Sequence, residues 1–254
     1  PVLPDGTMLS IPIPVTDQTI KYSELFHNGV KYSEIIRDLM GENIKVEGEG
    51  YFGLDDLSCH LDPDIRKDSF VRKDGWKGIF GQNGSAFTHL NNQNVGKGDL
   101  FLYFGWFRKT IYNNGKLKYD PKCKGFHAIY GYLQVDEIKK INETDFEEWA
   151  LYHPHVCRGK EASKFDHLFY AADKLNFMES KSGYGVLNIS DRVILTKDGQ
   201  TKSKWNLPEF FKRYRISYHT ENSWKDDCFQ SAAKGQEFVI HADDEIIDWV
   251  KCLF

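Results

Sequence analysis

The sequence predicts an α+β fold: a mixed, largely antiparallel sheet or partly closed β-barrel with flanking helices. Three observations predict it. Two apolar aromatic runs, at residues 100–107 and 126–135, are rich in the bulky residues that favour strands. Asn113-Asn114-Gly115 between them is a turn signal, so the runs read as a buried β-hairpin. Apolar residues at helical spacing mark two further stretches, one ending near Met40 and one at the C-terminal end. No internal repeat, low-complexity tract or long Gly/Ser linker interrupts the chain, so residues 1–254 are expected to form one compact domain.

Composition narrows the function classes. With 41% hydrophobic residues the chain can bury a real core, and no apolar run approaches the ~20 residues of a membrane helix. A soluble, cytoplasmic protein without membrane contact is the expectation. The five cysteines, Cys59, Cys123, Cys157, Cys228 and Cys252, are scattered and form no CxxC pair. They read as buried free thiols of a reducing compartment, not a disulfide frame or a zinc site. A net charge of −4 argues against coating nucleic acid through bulk charge, so any such contact must come from a local patch.

Taken in order, the elements begin with an extended arm over residues 1–20. Its first 14 residues carry four prolines and a Pro4-Asp5-Gly6 turn, and its start at Pro1 reads as truncated or processed. A helix is expected over 33–40, capped by Ser33 and stopped by Gly41. Residues 57–66, LSCHLDPDIR, read as extended, which would turn His60, Asp62 and Asp64 to one side. Residues 75–135 form the expected core, in which a small polar loop, 81–89, is held on the rigid hairpin. After residue 135 come an exposed connection and a short amphipathic helix with a solvated charged face. His153-Pro154-His155 follows, where the proline should fix an extended backbone with both rings on one side, a pair that with Arg158 could hold a phosphate or a metal or serve as ordinary hydrogen-bonding residues. A short strand at 168–172, turns at 182–186 and 197–200, a late strand at 235–240 and a closing helix with Ile246, Ile247, Trp249 and Val250 inward complete the chain.

Candidate site residues fall into three groups. Asp62 and Asp64, with His60 and His155, are the groups able to act as acid, base or charge stabiliser. No cofactor is assigned, although His60 and Asp62 would also suit a divalent metal. Asp-Pro-Asp equally suits a turn or a helix cap. Gln82, Asn83, Ser85 and His89 carry the amide, hydroxyl and imidazole groups that read a base edge, and Tyr103 and Trp106 would stack on it. Arg158, Lys204, Trp205, Lys212, Arg213 and Arg215 interleave basic and aromatic side chains as a phosphate-binding, base-stacking surface does. The same residues 202–215 also fit an amphipathic helix that packs its Phe residues inward.

The chain has no GxGxxG leading into a helix, no P-loop, no GxSxG, no HExxH and no zinc-deaminase signature, which removes the familiar nucleotide and hydrolase classes. The motifs that remain occur in a characteristic order. PVLPDGTMLSIPIP, HLDPDIR, GWKGIFGQNGSAFTHL, VGKGDLFLYFGWFR, HPH, SKWNLPEFF, SYH and GQEFV together make the sequence resemble the nucleotide modification associated domain family, type three, over nearly its whole length. In that family a short segment containing Gly-Phe-Asp precedes the opening motif, and it does not stand in this sequence. The resemblance implies association with systems that make, recognise or remove hypermodified bases in DNA, often phage DNA, with partner proteins of a modification or defence system. Gly98-Asp99-Leu100-Phe101 and the strand at 129–135 also resemble PUA-like modules, whose partly closed barrel holds a flipped base against aromatic walls. Three functions follow as expectations: a DNA glycosylase or base-modifying enzyme, a non-catalytic reader of modified bases, or a structural subunit of a modification complex.

Overall fold

The computed structural model describes residues 1–143, 145–157, 166–232 and 236–254. Its architecture is α+β, with mostly antiparallel strands, a curled five-stranded sheet and four α-helices among the described residues. β1 (Ile13–Val15) pairs with β2 (Ser58–His60), and little else of the opening arm is strand. Met8 and Leu9 of that arm are buried in the core, while Ile13 is exposed. α1 (Tyr32–Met40) starts one residue before the expected position, with Ser33 buried inside the helix instead of capping it. Its end is as the sequence predicts. Gly41 sits at φ +95°, ψ −174°, a region essentially restricted to glycine.

β3 (Ile79–Gln82) runs almost directly into α2 (Gly84–Asn92). The expected polar loop over 81–89 is therefore a strand end and the first turns of a helix. Its small polar residues hid a helical spacing: Leu90 is buried, and Phe87, three residues earlier, stacks on His167 at 3.6 Å. The hydroxyl of Thr88 bonds back to the Gly84 carbonyl, as helical threonines do.

The core hairpin is present in its strands, but its connection differs. β4 (Leu100–Phe107) leads into a separate small hairpin, β5 (Thr110–Asn113) and β6 (Lys116–Tyr119), and the Asn114-Gly115 turn at positive φ belongs to that one. The chain then returns as β7 (Phe126–Lys140), antiparallel to β4. β7 does not stop at Val135. Residues 137–140, expected in an exposed connection, pair with a later strand, and only 3₁₀ turns follow where a helix was expected. α3 (Pro154–Cys157) is a single turn opened by its proline, a favoured first helical position, so the backbone there is not extended.

β8 (His167–Ala171) and β9 (Tyr184–Val186) complete the sheet, in the order β9–β7–β8–β3 with β4 also on β7. β7 is its spine, serving β4 and β9 along its first part and β8 along its last. Register shifts between Ile129 and Gly131 and between Val135 and Glu137 bend it, which curls the sheet. Residues 202–215 form no long helix: Lys204–Trp205 is a short strand and Glu209–Arg213 a 3₁₀ helix. Residues 236–240 form no strand, and Val239 is held instead by Ser217, whose amide donates to its carbonyl at 3.0 Å. α4 (Asp244–Lys251) closes the chain with Ile246 and Val250 inward and Asp243 capping it through the amides of Glu245 and Ile246.

The cysteines depart from the expectation in burial. They form no disulfide, but only Cys59 and Cys228 are buried. Among the described residues no helix is long and apolar enough to cross a membrane.

Candidate functional site

The curl of the sheet leaves a cavity of about 1230 Å³. Its walls include Phe80 of β3, Phe101, Tyr103 and Phe104 of β4, and Trp205, while residues 236–242 line another part. The volume exceeds the roughly 300–1,000 Å³ of pockets that bury a whole small ligand. One polar atom in the wall stands out. The Tyr103 hydroxyl is buried without a hydrogen-bond partner among the described residues, and burial, with Asp62 nearby, raises its pKa well above the usual tyrosine range. A buried hydroxyl in that state costs free energy until a ligand or water meets it.

Asp62, His60 and His155 also line this cavity. Three chain segments bring them together: β2 ends on His60, the next turn carries Asp62, and α3 presents His155 from across the fold. The Gly81 amide donates to Asp62 Oδ1 at 2.9 Å, and His153 Nε2 lies 3.4 Å from the same oxygen. The other oxygen, Oδ2, faces His155 Nε2 at 3.5 Å and His60 Nε2 at 3.8 Å. His155 is braced from behind, its Nδ1 lying 3.2 Å from Asp166 Oδ1. Glycine is required at 81: a Cβ there would stand 2.2 Å from His155 Cδ2.

The electrostatics follow from this geometry. Burial works against the Asp62 charge, but His153, His155 and His60 outweigh it and hold the carboxyl well below the usual carboxylate range. For His155 burial is likewise overcome, by Asp62 and Asp166, and its pKa is raised. His153 goes the other way, because complete burial prevails over its carboxylate neighbour. The Nδ1 of His153 accepts the His155 amide at 3.4 Å, which leaves its Nε2 proton to face Asp62. The centre thus favours the charged form of one carboxylate and of the His155 imidazole and the neutral form of His153, with His60 at its partly exposed edge.

A family model for nucleotide modification associated domain 3 matches residues 1–241. The chain belongs to that family. No curated protein and no solved structure matches it. In this nucleotide modification associated domain the matched span holds the whole Asp62 centre.

The predicted residues separate cleanly. Asp62, His60 and His155 converge, whereas Asp64 does not join them. Its carboxylate takes both Arg72 terminal nitrogens at 2.6 Å and the Tyr152 hydroxyl at 2.5 Å, in a buried ion pair lying under the Trp76 ring. That makes Asp64 a structural anion, and the alternation assumed for residues 60–64 does not continue past Asp62. Gln82, Asn83 and Tyr103 line the cavity, but Gln82 is engaged, its amide donating to Glu237 at 2.6 Å. Ser85 is exposed on α2, and His89 is held by Ser217 and stacked on Tyr218 at 4.0 Å. Trp106 is 57% exposed outside the cavity.

The basic-aromatic group divides between buried and exposed side chains. Trp205 is 4% exposed and donates to His127 Nδ1 at 3.0 Å, while Lys212 pairs with Glu209 and Arg213 with Glu245. Lys204 bonds Gln200, Arg215 is exposed, and Arg158 lies outside the described residues. Two residues of the centre lay outside the three candidate groups, His153 and Asp166. The first was legible as half of His-Pro-His; the second has no local motif.

Proposed function

We propose that this chain admits a nucleobase of DNA to the cavity and acts on the base, or on its bond to the sugar, at the Asp62 end. The observation that carries this is the convergence of Asp62, His60 and His155 on one end of a large cavity whose other walls are aromatic. Aromatic walls suit the faces of an extruded base, and the unpartnered Tyr103 hydroxyl suits its edge. A carboxylate kept ionised inside such a site suits a developing cation at the sugar or base, or the positioning of an attacking water. Membership of a nucleotide-modification family supports the substrate class.

The DNA itself would lie on a different surface from residues 202–215. Residues 106–124 hold six cations, Arg108, Lys109, Lys116, Lys118, Lys122 and Lys124, against one acid, Asp120. The five lysines are exposed, as are Trp106 and Tyr112. This hairpin continues along the chain from β4, whose earlier residues wall the cavity.

The test is mass spectrometry of bases and nucleosides recovered after incubating the chain with unmodified and hypermodified phage DNA. A released base, or a nucleoside of altered mass, is expected with the wild type and absent with Asp62→Asn. Selective retention of modified DNA without any mass change would make the protein a reader and remove the chemical role of Asp62.

A further inference from the structure

We propose that His60, Asp62 and His155 bind a divalent first-row transition metal ion, with its remaining coordination positions open to the cavity. One donor atom from each of the three residues lies within 4.8 Å of the others. Two donors that each stand about 2.1 Å from one ion can be at most about 4.2 Å apart. The Asp62 Oδ2 contacts, 3.8 Å to His60 and 3.5 Å to His155, already meet that limit. Only a small turn of the partly exposed His60 ring is needed to close the set.

The division of labour on the carboxylate carries the inference further than proximity does. Oδ1 is occupied from behind by the Gly81 amide and faced by His153, whereas Oδ2 faces both imidazoles. His155 is oriented in the same way, with Nδ1 against the buried Asp166 carboxylate and Nε2 turned to the centre. Ligands held by outer carboxylates and amides in this manner are the usual support of a metal site, and they fix which nitrogen is offered. Two imidazoles and one carboxylate favour Fe²⁺, Co²⁺ or Zn²⁺ over the oxygen-seeking Mg²⁺ and Ca²⁺. Three protein ligands leave positions for water or substrate, as catalytic sites require. The ion's purpose, though not its binding, rests on the proposed nucleobase chemistry.

The test titrates the full chain, stripped with a chelator, with Co²⁺ and with Zn²⁺. One equivalent of Co²⁺ is expected to survive dialysis, to give d–d absorption, and to raise the melting temperature, while Mg²⁺ does none of these. His60→Ala and His155→Ala should lose at least about 100-fold in affinity, and Asp166→Asn about 10–100-fold. His89→Ala, bonded to Ser217 away from the centre, should bind as the wild type does. Should the variants fail to fold, the wild type still decides. Its Co²⁺ form should show two paramagnetically shifted imidazole N–H signals, and their absence would overturn the site, as would substoichiometric binding. One bound equivalent with no altered nucleoside keeps the ion and retires the proposed chemistry. Altered nucleosides from a chain that binds no ion do the reverse.

Discussion

Gly81 serves the centre twice, by giving its amide to Asp62 and by leaving room for the His155 ring. Gly81→Ala must push that ring away from both carboxylates, because the new Cβ meets a ring atom and not a flexible chain end. Displacements of this size cost about 100-fold in activity, so the variant should lose nucleoside conversion while circular dichroism shows the fold retained. His127 answers to pH instead. Burial, aided by Lys202, lowers its pKa from 6.5 to about 4, and its Nδ1 accepts the Trp205 indole proton. The folded ring stays neutral where the unfolded one is protonated. Its contribution to stability is therefore whole above about pH 6.5 and declines as pH falls toward 4, by up to about 3 kcal/mol. Urea unfolding of the wild type and His127→Gln at pH 7.5 and 4.5 checks the sign, since the gap between them should narrow in acid. At this scale the sequence was half legible. HLDPD showed two carboxylates beside a histidine, but which one faces the cavity depended on Arg72, eight residues away from Asp64 along the chain and folded back onto it.

Among the elements, the strands were the most readable and the connections the least. β4 and the first part of β7 could be read because their apolar side chains are continuous, which is what a strand covered on both faces requires. The extension of β7 through Glu137–Lys140 could not, because its charged side chains resemble a solvated linker and only pairing with β8 makes them strand. α2 was hidden for the opposite reason: Gly, Ser, Thr and Asn are poor helix formers, and tertiary packing of Phe87 and Leu90 overrides that preference. α1 was legible to its last residue because Gly41 states the stop locally. This helix also steadies the basic hairpin, since Asp38 accepts the Leu117 amide at 2.9 Å. Gly41→Ala forces an unfavourable backbone region on alanine and should destabilise the fold by about 1–3 kcal/mol. Urea denaturation should show that loss, with metal uptake at the Asp62 centre unchanged once the chain is folded.

For the molecule as a whole, charge is the property that separates its surfaces. The net charge is −4, yet the six cations of residues 106–124 form no ion pair among the described residues, whereas in 202–215 Lys212 and Arg213 face acids of their own helix and of α4. A composition total hides such a division, and so does a motif scan that rewards basic residues wherever aromatics stand among them. What decides is whether the fold brings acids opposite them, as Asp243 and Glu245 are brought to Tyr214 and Arg213. Binding of single-stranded DNA by this hairpin should therefore weaken steeply with salt. Each phosphate neutralised contributes about −0.7 to the slope of log K against log salt. Lys116→Gln with Lys118→Gln should reduce that slope by roughly 1.4, and Lys212→Gln should leave it unchanged because Glu209 already holds that lysine. Fluorescence anisotropy of a labelled oligonucleotide over a salt series measures both. An unchanged slope in the hairpin variant would move the phosphate contacts off β5 and β6, and a reduced slope in Lys212→Gln would return them to residues 202–215.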